Sequence, residues 1–349
     1  MSYDEILADL KSKLTDDIQA NDRFLRKEAE RFAREKNNDG VKASGQLLVE
    51  NMPEEEVEEI KRITHLDGVR LDVMHKQIVE LIEKHSAIEA KPIAERLYKK
   101  ITVEFKETEK AKFVSTRNPF EDNLLQILFK QEKTLNRAPF DLSVYITTYA
   151  YILTETGSPY DAIPVLKRAI EFNPVDCAPM FELAEVYKLL GNRRRLLEIT
   201  RDTIKIASSP ITLARCYANV GYALTDSGDY DDASAYYQAS VMMYPHKMIP
   251  HEMRNLAQLK GTPLRQYTIE EIIKIFAKYE MKFGFNPEVI KVACELAAYY
   301  LGEKNIPNAL NALKMAYSMT RDENIKNIIL KYEPEAEKNP LANDDMNNN

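Results

Sequence analysis

The residues first suspected of chemistry are His251-Glu252-Met253-Arg254-Asn255, one residue short of HExxH, the helical zinc motif whose two imidazoles one turn apart share a metal. Asn255 stands where the second imidazole belongs, and His246 lies five residues upstream of His251, off the same helical face. His65, His75 and His85 recur every ten residues, which turns each about 80° from the last on a helix, so they do not converge. Arg193-Arg194-Arg195 follows Gly191, but three adjacent residues point around a helix rather than one way, and they read as a solvated turn rather than a phosphate patch. With ten glycines the chain has no GxGxxG or GxxxxGK[ST] phosphate loop. No Ser, Cys or Lys lies in a nucleophile motif either. The expectation is a protein with no catalytic residue, no metal and no cofactor. An enzyme assembled from scattered residues stays the least favoured of three functional classes.

Composition narrows the partners. A net charge of −7 and a pI near 5.5 argue against nucleic acid, since phosphate binding requires a basic surface. No run approaches the 18 or so apolar residues that span a bilayer, and MSYDEILADL carries acids where a secretory leader carries Lys or Arg. Cys177, Cys216 and Cys294 are odd in number and far apart, which fits free thiols in a reducing cytoplasm.

The elements that must position any site are helical. Tyr3, Leu7, Leu10, Leu14 and Ile18 step by three and four, predicting one long helix over Tyr3–Lys36 that ends at Asn37-Asn38-Asp39-Gly40 through a left-handed glycine. A short segment, Lys42 to Glu50, follows. Pro53 opens a further helix whose heptad seam runs from Val57 through Leu71 and Ile78 to Ile88, with Gly68 in its middle. It either folds back on the first helix or pairs with a second copy, so the oligomeric state stays open. Pro92 is expected to start the next helix. Ile101, Val103 and Phe105 alternate with polar residues, which suggests a small β-hairpin near 101–116, or else a helix running through. Asn118-Pro119 reads as a helix start.

From Ser143 a helix–turn–helix unit repeats. Ile146, Tyr149, Ala150 and Leu153 lead to Gly157, then Ala162, Leu166, Ala169 and Pro174. Met180, Leu183, Ala184 and Tyr187 lead to Gly191. The clearest copy runs from Arg215 to Pro245, with Tyr217, Val220, Gly221 and Leu224 on one stripe and Tyr230, Ala233, Tyr237 and Ser240 on the other. Between Pro245 and Pro287 the pattern is lost, although two helical segments remain (His251–Leu259 and Ile269–Phe283). It returns with Ala293, Leu296, Ala297 and Tyr300, then Ala309, Leu313 and Ala316. Pro164 falls several residues into a second helix, so that helix starts late or the array bends there.

This pattern resembles the tetratricopeptide repeat, the 34-residue helical hairpin of interaction scaffolds. The resemblance implies an all-α, right-handed helical-repeat solenoid. It would comprise an N-terminal helical region over 1–118, the repeat domain over 119–333 and a disordered tail over 334–349. It also implies a concave groove built on the first helix of each repeat, for which the sequence offers Thr147, Tyr151, Phe181, Glu185, Lys188, Arg215, Asn219, Tyr222 and Asp226. Glu155 and Glu182 lie on the same offset faces. One branch of the family clamps acidic C-terminal tails with Lys, Asn and Arg. Only Arg215 and Asn219 fit that pattern here, and Glu182 and Glu185 would repel such a tail, which points to a mixed-charge or partly basic ligand. The expected function is a non-enzymatic scaffold that holds a peptide or partner helix in this groove. The alternative is a bacterial peptide-responsive regulatory sensor, in which the repeats bind ligand and reposition effector helices at the N-terminus.

Overall fold

The computed structural model describes residues 2–337. The chain divides into two compact units, one up to Met74 and one from His75 onward.

In the first unit, α1 (Tyr3–Ser12) and α2 (Ile18–Arg34) replace the single long helix that the apolar steps suggested. Short polar side chains win locally: the Asp17 carboxylate accepts from the Gln19 and Ala20 amides at 2.9 and 3.0 Å. Asn21 Oδ1 accepts from the Thr15 amide at 2.8 Å while its Nδ2 donates to the Thr15 carbonyl at 2.7 Å. These bonds offer the backbone a turn in place of a helix. The left-handed residue after α2 is Lys36 (φ 54°), not Gly40. Asn37 instead caps α3 (Asn38–Glu50), and Gly40 lies inside it. A Cβ on Gly40 would stand 2.2 Å from the Phe32 ring, so glycine there lets α3 approach α2. It is α3 that folds back, packing on both α1 and α2 around Ile6, Leu10, Leu25, Phe32, Ala43 and Leu47. By contrast α4 (Glu54–Thr64) has no buried residue. The expected heptad helix stops there, because β1 (His65–Leu66) pairs antiparallel with β2 (Val69–Arg70). Asp67 and Gly68, at φ 51° and 77°, form the two-residue turn that Asp-Gly favours. The helix α5 (Leu71–Glu83) follows and spans the point of division.

In the second unit, α6 (Ala87–Glu104) carries Pro92 inside it rather than at its start. Ala90, Ala94, Leu97 and Ile101 are buried along one face, and Phe105 continues the stripe one turn on. Three- and four-residue steps therefore override the alternation of Ile101, Val103 and Phe105, and Val103 is left exposed. Only the second half of the suspected hairpin is a strand. β3 (Ala111–Val114) pairs in parallel with β4 (Thr134–Arg137), Ala111 opposite Thr134. The crossover a parallel pair requires is supplied by α7 (Pro119–Leu128), capped by Asn118, whose side chain accepts from the Glu121 amide at 3.0 Å.

Three helical pairs then stack: α8 (Leu142–Glu155) with α9 (Pro159–Phe172), α10 (Cys177–Leu189) with α11 (Arg193–Ile206), and α12 (Pro210–Ser227) with α13 (Tyr230–Met243). Within α9, which does not start late, Pro159 holds the first turn and Pro164 sits inside. Gly157, Gly191 and Gly228 turn the pairs with positive φ.

Where the repeat pattern is lost, α14 (Ile249–Lys260) and α15 (Ile269–Lys278) cover the third pair. The Phe276 ring stacks on Tyr236 at 4.0 Å and meets Tyr217 edge-on at 4.8 Å, and the Gly284 amide donates to Tyr217 Oη at 2.8 Å. A last pair, α16 (Pro287–Gly302) and α17 (Ile306–Thr320), does not extend the stack from α13. It turns the α16 face toward α7 around Leu124, Leu125, Val289, Val292 and Ala293, and α18 (Glu323–Tyr332) packs on α17. Of the segment expected to be disordered, Pro334–Glu337 forms a 3-10 turn, and residues 338–349 lie outside the described residues. Among the described residues no helix is long and apolar enough to cross a membrane.

Candidate protein-interaction face

The residues expected to line the groove lie on the first helices of the three pairs, α8, α10 and α12. On α8, Tyr151 is exposed, and Thr147 is half-buried with its hydroxyl donated to the Ser143 carbonyl at 2.7 Å. On α10, Phe181 is buried and Glu185 exposed, while Glu182 and Lys188 lie between those extremes. On α12, Arg215, Tyr222 and Asp226 are exposed, and Asn219 is only 3% exposed.

Charge and aromatic contacts tie α10 to α12. The Arg215 guanidinium lies 4.2 Å over the Phe181 ring and 3.5 Å from Glu185 Oε1. Lys188 Nζ donates to the same carboxylate at 2.9 Å and sits 5.4 Å from the centre of the Tyr222 ring. Asp226 stands apart, with Arg193 donating to its carbonyl at 2.6 Å and pairing with its carboxylate at 3.4 Å. That contact places Arg193 at the turns between pairs, in keeping with the solvated-turn reading of the arginine run.

Two polar groups on these helices, Asn219 Nδ2 and the Glu182 carboxylate, make no hydrogen bond among the described residues. Asn219 Nδ2 is buried with no hydrogen-bond acceptor, a costly state for an amide donor. Glu182 makes no ion pair or hydrogen bond among the described residues. Burial raises the Glu182 carboxyl above the ordinary carboxylate range, against the pull of Arg215 and with Glu185 and Glu155 adding to the rise. The Tyr151 phenol is raised by burial, with Glu155 and Glu182 contributing. Of the nine residues expected to line the groove, Tyr151, Glu185, Arg215, Tyr222 and Asp226 are exposed, Thr147 and Lys188 are half-buried, and Phe181 and Asn219 are buried. The sequence presents Glu182 as a repellent charge, and nothing in it says that Glu182, unlike Glu185, holds no hydrogen bond.

The second unit also carries features that sequence reasoning missed. A groove of about 590 Å³ runs between α7 and α16, lined by Pro119, Asn123, Glu295 and the adjacent Tyr299 and Tyr300. The Tyr-Tyr pair was its only sequence signal. Near the start of the array, Arg117 bridges Glu121 at 2.6 Å and Asp176 at 3.2 Å, with Asp141 at 4.0 Å. Asp141 and Asp176 also cap α8 and α10. Burial pushes the Asp141 carboxyl up to about 6. His75 stacks on Tyr145 at 4.2 Å and shares a 2.9 Å hydrogen bond with Thr148, and burial lowers it to about 4. It is a packed histidine, and among the described residues no group of His, Cys, Asp or Glu could hold a metal ion.

Residues 214–247, most of α12 and all of α13, match the tetratricopeptide repeat family. The chain therefore carries a tetratricopeptide repeat at α12–α13, within an all-α stack of helical pairs. Among solved structures it is similar to a tetratricopeptide repeat protein from Parabacteroides merdae, at 12% identity over 88% of this chain and 96% of that one, with a TM-score of 0.38. It is also similar to the C-terminal part of a TPR repeat-containing protein from Cytophaga hutchinsonii, at 16% identity over 87% and 98% of the two chains, again with a TM-score of 0.38. No curated protein matches the chain in sequence.

Proposed function

We propose that this protein is a non-enzymatic cytoplasmic scaffold that holds an extended peptide segment of a protein partner against the concave face formed by α8, α10 and α12. The observation that carries this reading is the set of exposed side chains on the three first helices, Tyr151, Arg215 and Tyr222, with Arg215 and Lys188 both held by Glu185. Tyr151 and Tyr222 supply exposed rings that give contact area at low entropy cost. The net charge of −7 favours a protein partner over nucleic acid. Burial also raises the Cys216 thiol well above its ordinary range, so it acts as core packing rather than as a nucleophile.

The test measures partner retention from the native cell with Tyr222→Ala and Arg215→Ala, alongside thermal unfolding. Both variants are expected to hold the melting temperature yet lose partner. Full retention by both variants would contradict it.

A further inference from the structure

Independently of that groove, we propose that α4 is a self-association element, on which a second copy of this chain docks its own α4 antiparallel. Three observations on this helix converge. The first is that Glu54–Thr64 buries no side chain, although α1, α2 and α3 of the same unit share a core. Isolated helices shorter than about 12–15 residues are marginal in water, and helices in proteins owe most of their stability to packing one face. With 11 residues, α4 is below that length and lacks the packing.

The second observation is the face itself. Val57, Ile60 and Thr64 follow at steps of three and four with Ile63 beside them, a single apolar stripe. Ile60, at its middle, is 44% exposed, and Val57 and Ile63 are half-buried.

The third is charge, and it selects the occupant. The first turn carries Glu54, Glu55 and Glu56, and the last carries Lys61 and Arg62. The three glutamates of the first turn hold no ion pair among the described residues. Lys61 pairs with Glu58 of its own helix at 2.8 Å, an exposed contact that exchanges at little cost. Glu54 and Lys61 are seven residues apart, so they lie on the same edge of the stripe. A parallel copy would set glutamate against glutamate and lysine against lysine. A two-fold axis between Val57 and Ile60 instead sets Glu54 of each copy beside Lys61 of the other, with the two helix dipoles opposed. The stripe is therefore complementary to itself in one orientation. A helix of this length spans only about 16 Å, so the interface is small and the association belongs to the weak, micromolar class.

Sedimentation equilibrium on the full chain, from about 1 to 300 μM, brackets such affinities. The expected result is a monomer–dimer equilibrium for the unaltered protein. Ile60→Glu should leave the chain monomeric throughout, with circular dichroism and melting temperature showing that the rest stays folded. Glu54→Lys and Lys61→Glu should each weaken association severalfold, because each sets like charges together at both ends of the pair. An equimolar mixture of these two variants should restore it, since the mixed pair is matched at both ends. An unaltered protein that stays monomeric, a dimer that survives Ile60→Glu, single exchanges that associate as well as the unaltered chain, or a mixture as weak as its parts would overturn the proposal.

Discussion

A Cβ added to Gly221 would stand 3.0 Å from the ring of Tyr237, tighter than carbon atoms ordinarily pack. Both residues are buried, Tyr237 being 1% exposed, and between them they set how closely α12 and α13 approach. Gly221→Val should therefore overpack the pair and lower stability by about 1–3 kcal/mol. Denaturant unfolding measures this. Stability unchanged within error would mean that Tyr237 moves aside freely and that the pair is not locked here.

Tyr222 follows Gly221 directly but is 40% exposed. One residue turns about 100° around a helix, so neighbours serve different faces. Tyr222→Ala should change stability by no more than about 0.5 kcal/mol. A loss comparable to that of Gly221→Val would place Tyr222 in the core and remove it from the interaction face.

Arg117 joins the loop before α7 to the caps of α8 and α10 through Glu121, Asp141 and Asp176. Glu121 and Asp176 are buried, so removing the guanidinium leaves uncompensated carboxylates. Because Arg117 itself is 40% exposed, the cost of Arg117→Met should fall at the low end for a broken buried pair, about 3 kcal/mol. A loss under about 1 kcal/mol by chemical denaturation would show water doing the work assigned to Arg117.

The same cluster gives a pH dependence with a definite sign. Burial raises Asp141 from its ordinary value of 3.8 to about 6, so the folded protein holds this proton more tightly than the unfolded chain. Its contribution to stability is fully present below about pH 3.8 and is lost as pH rises through about 6. Asp176 shifts in the same direction, opposed by Arg117. Asp141→Asn keeps an oxygen for the Val144 amide, now accepted at 3.3 Å, but removes the titration. The stability of Asp141→Asn relative to the unaltered protein should rise between pH 4 and 7. A flat or falling difference would contradict the shift.

Much of this was legible in the residues, and the failures have physical reasons. The stripes of Tyr217, Val220, Gly221 and Leu224 specify the third pair because each side chain is buried where its spacing places it. The N-terminal seam misled because period alone cannot see a competing turn. Asp17 and Asn21 break the first helix through their own side-chain bonds, and Asp67-Gly68 cuts the heptads with a hairpin. Proline position misleads at Pro92, which sits within α6 rather than at its start. The pairing of β3 with β4 could not be read locally, because the partner strand lies beyond α7. Of the groove, the residues were nameable from spacing, but which were already engaged was not. Glu185 is saturated by Lys188 and Arg215, and Glu182 is not, a distinction that exists only once α10 and α12 are side by side.

We propose that a partner sits on the face formed by α8, α10 and α12, and site-specific photocrosslinking tests this most directly. A benzophenone amino acid placed at Tyr222 should capture a discrete partner in the native cell, and the same group at Tyr160, 70% exposed on α9, should not. Equal capture at both positions, or capture at Tyr160 alone, would contradict the assignment of this face.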